Sequence, residues 1–245
     1  MLKAALIFIV LVCTMESVRA QVSALPPEVQ QAIRAGGPVI NGDVNKATTA
    51  ALAPLHASSP PADVKEAVNV RYGPDEAQHL DVFTPQKDGA TAAPRPVLIF
   101  VPGGGFATVD QRADGLFRPQ NVGYAEAHNG LVVVIAAHRL LPKNAYPAGA
   151  EDVGAVVEWV RGHIASYGGD PNQVVLMGHS AGASHVADYI ARATSAGGPP
   201  VRGAILISGT YDLSSVPASG NNARYYSDDP ALRADRSVRN AESSE

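Results

Sequence analysis

Residues 178–182 read Gly-His-Ser-Ala-Gly and join two segments of different character. The apolar run at 174–177 (VVLM) predicts a buried strand before them, and residues 181–191 after them have helical composition. A serine at a strand-to-helix turn adopts a strained backbone conformation that pushes its hydroxyl clear of the sheet. The flanking glycines are expected because a Cβ there would collide with the neighbouring strand or helix. This pattern predicts that Ser180 is a catalytic nucleophile.

The composition is that of a folded domain with no nucleic-acid partner. The chain has 245 residues, of which 46% are hydrophobic and 17% charged, so it fits one α/β domain or a domain with a small extension. Its net charge is −4, without a block of Lys or Arg. Because binding to nucleic-acid phosphates needs clustered positive charge, that class of partner is excluded.

Residues 1–20 have the pattern of a signal peptide. Lys3 supplies the positive start, the apolar run at 4–12 is too short to span a bilayer, and small side chains near Ala20 favour cleavage before Gln21. We therefore expect export to the periplasm or the medium, with no other membrane association; an uncleaved anchor is the alternative. Cys13 is the only cysteine and would leave with this peptide, which excludes cysteine chemistry from the mature chain.

The rest of the chain divides in two. Residues 21–64 are rich in Ala, Pro and Ser, and short helices are predicted at 28–33 and 44–55. We interpret this helical arm as a lid or brace over the main domain, or as a poorly ordered extension. Residues 65–245 form the predicted main domain.

The main domain has strand and helix patterns in alternation. Its predicted strands are at 68–72, 80–83, 97–101, 131–136, 174–177 and 203–208. A helix is predicted at 148–165, with five apolar residues on one face (Val153, Val156, Val157, Val160 and Ile164). Glu151 and Asp152 are interpreted as acids of its first turn. The pattern predicts an α/β fold with a mostly parallel sheet and an antiparallel pair at its start.

A second glycine-rich segment complements Ser180. Gly103, Gly104 and Gly105 directly follow the strand at 97–101, so their backbone N–H groups can turn into a cleft. The Ala181 N–H, at the start of the helix after the nucleophile, is a further candidate donor. Such donors stabilise the oxyanion that forms when a serine attacks a carbonyl. No histidine pair has metal-ligand spacing and the glycine run is no dinucleotide fingerprint, so neither a metal nor a cofactor is predicted.

These segments together resemble one family. The runs at 101–106 (VPGGGF) and 178–182 (GHSAG), with shorter matches at 72–75, 80–83, 138–142, 146–147, 151–153 and 168–171, resemble the α/β-hydrolase superfamily. Within it they resemble bacterial carboxylesterases of the hormone-sensitive-lipase type, over about residues 65–215. The resemblance implies a serine esterase acting on short acyl or aryl esters. It also implies Ser180 as nucleophile and Gly104, Gly105 and Ala181 as oxyanion donors.

The chain departs from this family at two places. Pro102 stands where the family usually has a histidine that braces the oxyanion loop, so the bracing must differ. The family places its acid and then its histidine base after the serine, yet His185 is the only histidine after Ser180. We interpret His185 as an ordinary helix residue, and Asp212 as not being the triad acid. His138 follows a predicted strand and is interpreted as structural, with pocket lining as the alternative.

The C-terminal tail from Pro217 shows no strand pattern, and we expect a fold that lacks the family's last strands, as in a truncated chain. The expected function is hydrolysis of a small-molecule ester through an acyl-enzyme. Two alternatives remain open: a non-catalytic binding or scaffold homologue, and a peptidase of the same superfamily. Neither the physiological ester nor the oligomeric state follows from the sequence.

Overall fold

The computed structural model describes residues 25–36, 42–53, 61–86, 93–108, 119–194 and 197–238. The described residues form two compact units, one containing 25–36 and 42–53 and the other the described parts of 61–108 and 119–238. The expected signal peptide lies outside the described residues. None of the helices in these ranges has the length and apolar character needed to cross a bilayer.

The first unit consists of two helices that pack on each other. Helix α1 spans Pro27–Gly36 and helix α2 spans Gly42–Leu52. They approach closely where the Val44 side chain lies 3.2 Å from the place that a Cβ on Gly36 would occupy. Both helices predicted for residues 21–64 are therefore confirmed, although α2 ends earlier than expected. The lid and brace interpretations stay predictions.

The second unit is built on one six-stranded sheet. Its strands are β1 (Val64–Arg71), β2 (His79–Pro85), β3 (Arg95–Val101), β4 (Val132–Ala136), β5 (Gly169–His179) and β6 (Gly203–Ile207). They are ordered β1-β2-β4-β3-β5-β6. The pairs of β2 with β1 and with β4 are antiparallel, whereas β4, β3, β5 and β6 run parallel. The mostly parallel α/β sheet that the sequence predicted is confirmed.

Helices flank this sheet. They are α3 (Pro119–His128), α4 (Ala148–His163, continued by a 3₁₀ turn at Ile164–Tyr167), α5 (Ala181–Thr194), α6 (Gly220–Tyr226) and α7 (Pro230–Asp235). Helices α3, α6 and α7 were not predicted from the sequence. All three are short, and none has the regular apolar spacing that identified α4, so tertiary contacts rather than local pattern account for them.

The core lies on both faces of the central strands. One face packs alternate residues of β3, among them Val97 and Ile99, against the predicted apolar face of α4. All five residues predicted for that face are at most 2% exposed. The other face packs Leu98 and Phe100 with residues of β2, β4 and α3. Because these strands are buried on both faces, their sequences are continuously apolar. The parallel pairing of β3 and β5 places their carboxyl ends side by side.

Candidate active site

Ser180 lies at the bend between β5 and α5. Its φ is +53°, in the left-handed region that residues with a side chain rarely adopt. The Ser180 N–H donates to the Ile207 carbonyl at 2.8 Å, and the Ser180 carbonyl accepts from the Ala183 N–H at 3.0 Å. The strained strand-to-helix turn predicted from the sequence is therefore confirmed. Ser180 is partly exposed, so its hydroxyl is not sealed in the core.

Close backbone approach explains the glycines around this serine. A Cβ on Gly178 would lie 2.5 Å from Ala183 Cα, and one on Gly182 would lie 2.1 Å from the Val101 carbonyl oxygen. Both distances are too short for any side chain, as the sequence analysis expected. A Cβ on Gly103 would lie 2.8 Å from Ser180 Cβ. The fold thus brings the triple-glycine segment against the serine.

Residues 103–107 form a tight turn, called here the oxyanion turn. Both the Ala107 and Thr108 N–H groups donate to the Gly104 carbonyl, at 3.2 and 3.0 Å. The Gly105 N–H belongs to the same trans peptide unit as the Gly104 carbonyl, so it points in the direction opposite to that carbonyl. Among the described residues, no group accepts a hydrogen bond from the N–H of Gly104, Gly105 or Ala181. Their role as oxyanion donors stays a prediction that this geometry permits.

A buried ion pair fixes the start of α4 near this site. The Asp152 carboxylate, 1% exposed, accepts from Arg139 Nε at 2.8 Å, from the Arg139 backbone N–H at 2.7 Å and from Gln78 Nε2 at 2.7 Å. The prediction that Asp152 is a simple first-turn acid is therefore wrong. Its carboxylate connects the start of α4 to the segment before β2 and to the segment after β4. Glu151 is exposed and pairs with Arg139 at 3.0 Å.

An aromatic cluster that was not predicted from the sequence adjoins the oxyanion turn. Its rings are Phe106, Tyr146, Tyr225 and Tyr226. The two adjacent tyrosines are nearly fully buried although α6 is otherwise polar. The only sign of this cluster in the sequence is the pair of adjacent tyrosines in an otherwise polar segment.

Comparison with known proteins agrees with this architecture. The profile of a family described as having an alpha/beta hydrolase fold matches residues 98–242. The chain belongs to this α/β-hydrolase family.

Several curated relatives of this α/β-hydrolase are named as esterases. It is 36% identical to Esterase LipI of Mycobacterium tuberculosis over 133 residues, which cover 54% of this chain and 40% of LipI. It is 35% identical to Carboxylesterase NlhH of the same species over 107 residues, 43% of this chain and 32% of NlhH. The matched region therefore spans less than half the length of these relatives.

Solved structures share the fold at lower identity. A phosphonate-inhibited esterase B from Lactobacillus rhamnosis superposes with a TM-score of 0.60 and 22% identity, covering 92% of this chain and 70% of the other. A hyperthermophilic esterase from Pyrobaculum calidifontis gives a TM-score of 0.55 and 21% identity, covering 92% and 70%. At these identities the likeness shows the fold alone.

The bracing of the oxyanion turn differs from the pattern that the resemblance implied. In this α/β-hydrolase Pro102 is buried, and His138 Nε2 lies 3.4 Å from its carbonyl oxygen. Burial lowers the pKa of His138, and its other ring nitrogen, Nδ1, lies 3.3 Å from the Arg139 carbonyl oxygen. His138 is 2% exposed and belongs to the interior, as the structural interpretation expected.

His185 is not placed to act as a base. It is 1% exposed, and neither ring nitrogen has a hydrogen-bond partner among the described residues, so it makes no hydrogen bond to Ser180. Burial, and then the nearby His138, lowers its pKa well below the ordinary value. Its ring contacts Phe106 and His138 edge-on, at 5.4 and 4.7 Å between centroids. This placement supports the interpretation of His185 as an ordinary helix residue, which stays a prediction.

The Asp212 carboxylate takes part in a local turn. It accepts hydrogen bonds from the Ser214 N–H at 3.0 Å and from the Ser214 hydroxyl at 2.5 Å. Asp212 therefore stabilises the segment after β6, and its exclusion as the triad acid stays a prediction. Within the described ranges, no group of three His, Cys, Asp or Glu side chains is arranged to hold a metal ion.

Proposed function

We propose that this chain is a carboxylic ester hydrolase that acts on small esters with short acyl or aryl groups. The observation that carries the proposal is the contact between the strained Ser180 and the oxyanion turn, with Gly103 packed against Ser180 Cβ. The esterase and carboxylesterase names of its relatives support the same chemistry.

In the proposed mechanism, the Ser180 hydroxyl attacks the ester carbonyl as its proton passes to a base. The carbonyl oxygen becomes an oxyanion, and the N–H groups of Gly104, Gly105 and Ala181 donate to it. The positive end of α5 faces the same point. The tetrahedral intermediate expels the alcohol, which takes up the proton, and water then hydrolyses the acyl-enzyme to the free acid. No described residue is assigned as the general base.

A second candidate is a non-catalytic homologue that binds the same ligands. The observation in its favour is that His185 is 1% exposed and makes no hydrogen bond to Ser180. Loss of the base typically costs several orders of magnitude in rate, although an oxyanion hole retains part of the catalysis.

Reaction with a fluorophosphonate probe separates the two candidates. An activated Ser180 is expected to be labelled, and Ser180→Ala is expected to abolish both the labelling and the hydrolysis of p-nitrophenyl acetate. The matched control is Ser166→Ala, which removes an exposed hydroxyl that donates only to the His163 carbonyl. If the wild-type chain takes no label under conditions that label a known serine esterase, the non-catalytic candidate is correct.

Two further points belong to the proposal. A faster rate with a dipeptide amide than with p-nitrophenyl acetate would favour the peptidase alternative over the esterase.

We also propose export, from the pattern at residues 1–20. Its check is the first residue of the mature protein, which we expect to be Gln21.

A further inference from the structure

The residue after the two donor glycines is strained. Phe106 has φ +64°, although it carries a side chain that disfavours the left-handed region. Its carbonyl accepts from the Leu141 N–H at 3.0 Å, and its side chain is 7% exposed. A strained conformation persists only where the surroundings over-determine it. The contacts of Phe106 therefore decide whether the oxyanion turn keeps its shape.

Three rings surround the Phe106 side chain. Tyr225 stacks on it, with 4.6 Å between centroids and 15° between planes. Tyr226 and His185 meet it edge-on, at 5.5 and 5.4 Å. The stacked ring has the closest centroid of the three, so it restricts the tilt of Phe106 most directly.

Tyr225 is itself anchored at both ends. Its hydroxyl accepts from the Gly149 N–H at 3.0 Å, and its backbone carbonyl accepts from the Tyr146 N–H at 3.1 Å. It is 1% exposed, and burial raises the pKa of its phenol, which stays neutral. Tyr225 therefore connects the oxyanion turn to the first turn of α4, and its buried ring is not available to substrate.

We propose that Tyr225 is a positioning residue that holds the oxyanion turn in its donor geometry by stacking on Phe106. The inference rests on the proposed ester hydrolysis. Because the N–H groups of Gly104 and Gly105 act on charge that develops only in the transition state, a displaced turn lowers kcat and leaves KM nearly unchanged. A displacement of about 1 Å at such a site can cost about 100-fold in rate.

Two substitutions separate the ring from the hydroxyl. Tyr225→Leu removes the stacking ring, and we expect kcat to fall about 100-fold with KM within about twofold. Tyr225→Phe keeps the ring and loses only the bond to Gly149, so we expect kcat within about threefold of wild type. Equal losses in both variants would show that the hydroxyl, not the stacking, matters and would overturn the proposal.

The matched control is Tyr124→Leu. Tyr124 meets Phe83 edge-on at 5.2 Å between centroids and donates to Glu66, on the sheet face that packs against α3. This variant also loses an aromatic pair and part of its stability, yet it is expected to keep kcat. If its kcat falls as far as that of Tyr225→Leu, the effect is general destabilisation and the inference is wrong.

Amide hydrogen exchange tests the positioning without relying on activity. The Ala107 and Thr108 N–H groups bond to the Gly104 carbonyl and report whether the turn is intact. Exchange at residues 103–108 is expected to be at least tenfold faster in Tyr225→Leu, but unchanged in Tyr124→Leu. Unchanged exchange in Tyr225→Leu overturns the inference. Inactive wild-type protein with these exchange differences would instead reject the proposed function and leave the positioning role supported.

Discussion

Backbone strain concentrates around Ser180. Ser180, Phe106 and Ser208 all have φ between +53° and +64°, and they follow the ends of β5, β3 and β6. Contacts from other segments hold two of them: the Ser180 N–H donates to the Ile207 carbonyl, and the Phe106 carbonyl accepts from the Leu141 N–H. Strained residues that share one end of a sheet are typical of functional sites, where geometry is fixed in advance.

Gly182, two residues after Ser180, has a purely steric role, which a pair of alanine variants can test. Gly182→Ala would place a methyl group 2.1 Å from the Val101 carbonyl oxygen, so we expect the free energy of unfolding to fall by about 3 kcal/mol. Gly162→Ala is the matched control in helix α4, where a Cβ meets nothing within 4 Å. It is expected to raise the free energy of unfolding by about 0.5 kcal/mol. Urea denaturation measures both, and equal effects would contradict this explanation.

The two edge strands of the sheet differ in their protection. Strand β1 carries Lys65, Glu66 and Arg71, and its pairing with β2 shifts register between Ala67 and Val70. Strand β6 has no charged residue, and its only hydrogen-bonded neighbour among the described strands is β5. Its Ile205 side chain is 47% exposed. Charges and bulges discourage the pairing of edge strands between molecules; in the described fold β1 carries both, and β6 carries neither.

This difference predicts concentration-dependent association through β6. Ile205→Lys is expected to reduce the association of the described fold, measured by light scattering over a dilution series, because a charge on the edge opposes strand pairing. Val68→Lys is the matched control, since Val68 is 45% exposed on the strand that is already protected. If both variants, or neither, change the association, β6 is not the surface responsible.

At the scale of the whole molecule, one buried carboxyl connects α5, the helix after Ser180, to α6. Asp188, in α5, is 4% exposed and accepts from the Tyr226 hydroxyl at 2.8 Å. Burial raises its pKa to about 7, while this hydrogen bond and the charge of Arg192 oppose the rise. Tyr146 and Tyr225 also lie within its electrostatic reach. The protonated form of Asp188 is therefore the one that favours the native state.

The pH dependence of stability follows from this shift. An unfolded chain releases the Asp188 proton near the ordinary aspartate pKa of 3.8, whereas the native protein keeps it until about pH 7. The free energy of unfolding should therefore fall as pH rises from about 4 to about 7, by at most about 4 kcal/mol from this group. Asp188→Asn should remove this fall, so that the variant is more stable than wild type at pH 8 and similar to it near pH 4.

The control for this measurement is Asp170→Asn. Hydrogen bonds from Gln173 and Asn172 lower the pKa of the partly exposed Asp170 carboxyl, so it is ionised in both states above pH 5. Its replacement should leave the slope of stability between pH 5 and pH 8 as in wild type. If thermal or urea unfolding shows the same slope in Asp188→Asn as in wild type, Asp188 does not titrate in this range.

The sequence by itself determined the parts of the fold that depend on local chemistry. Continuous apolar runs identified the buried strands, and the spacing of Val153 to Val160 identified α4. The glycines at 178 and 182 identified the bend at Ser180, because close backbone approach excludes every other residue type there.

Only the tertiary structure decided how the site is supported. The contacts of Tyr225 with Phe106, of His138 with the Pro102 carbonyl and of Asp152 with Gln78 join residues that are far apart in the chain. Their side chains are chosen by packing and by the need to pair buried polar groups, and neither requirement leaves a periodic pattern in the sequence. The position of the nucleophile is therefore local information, whereas the rigidity of the turn that faces it depends on contacts made only when the chain has folded.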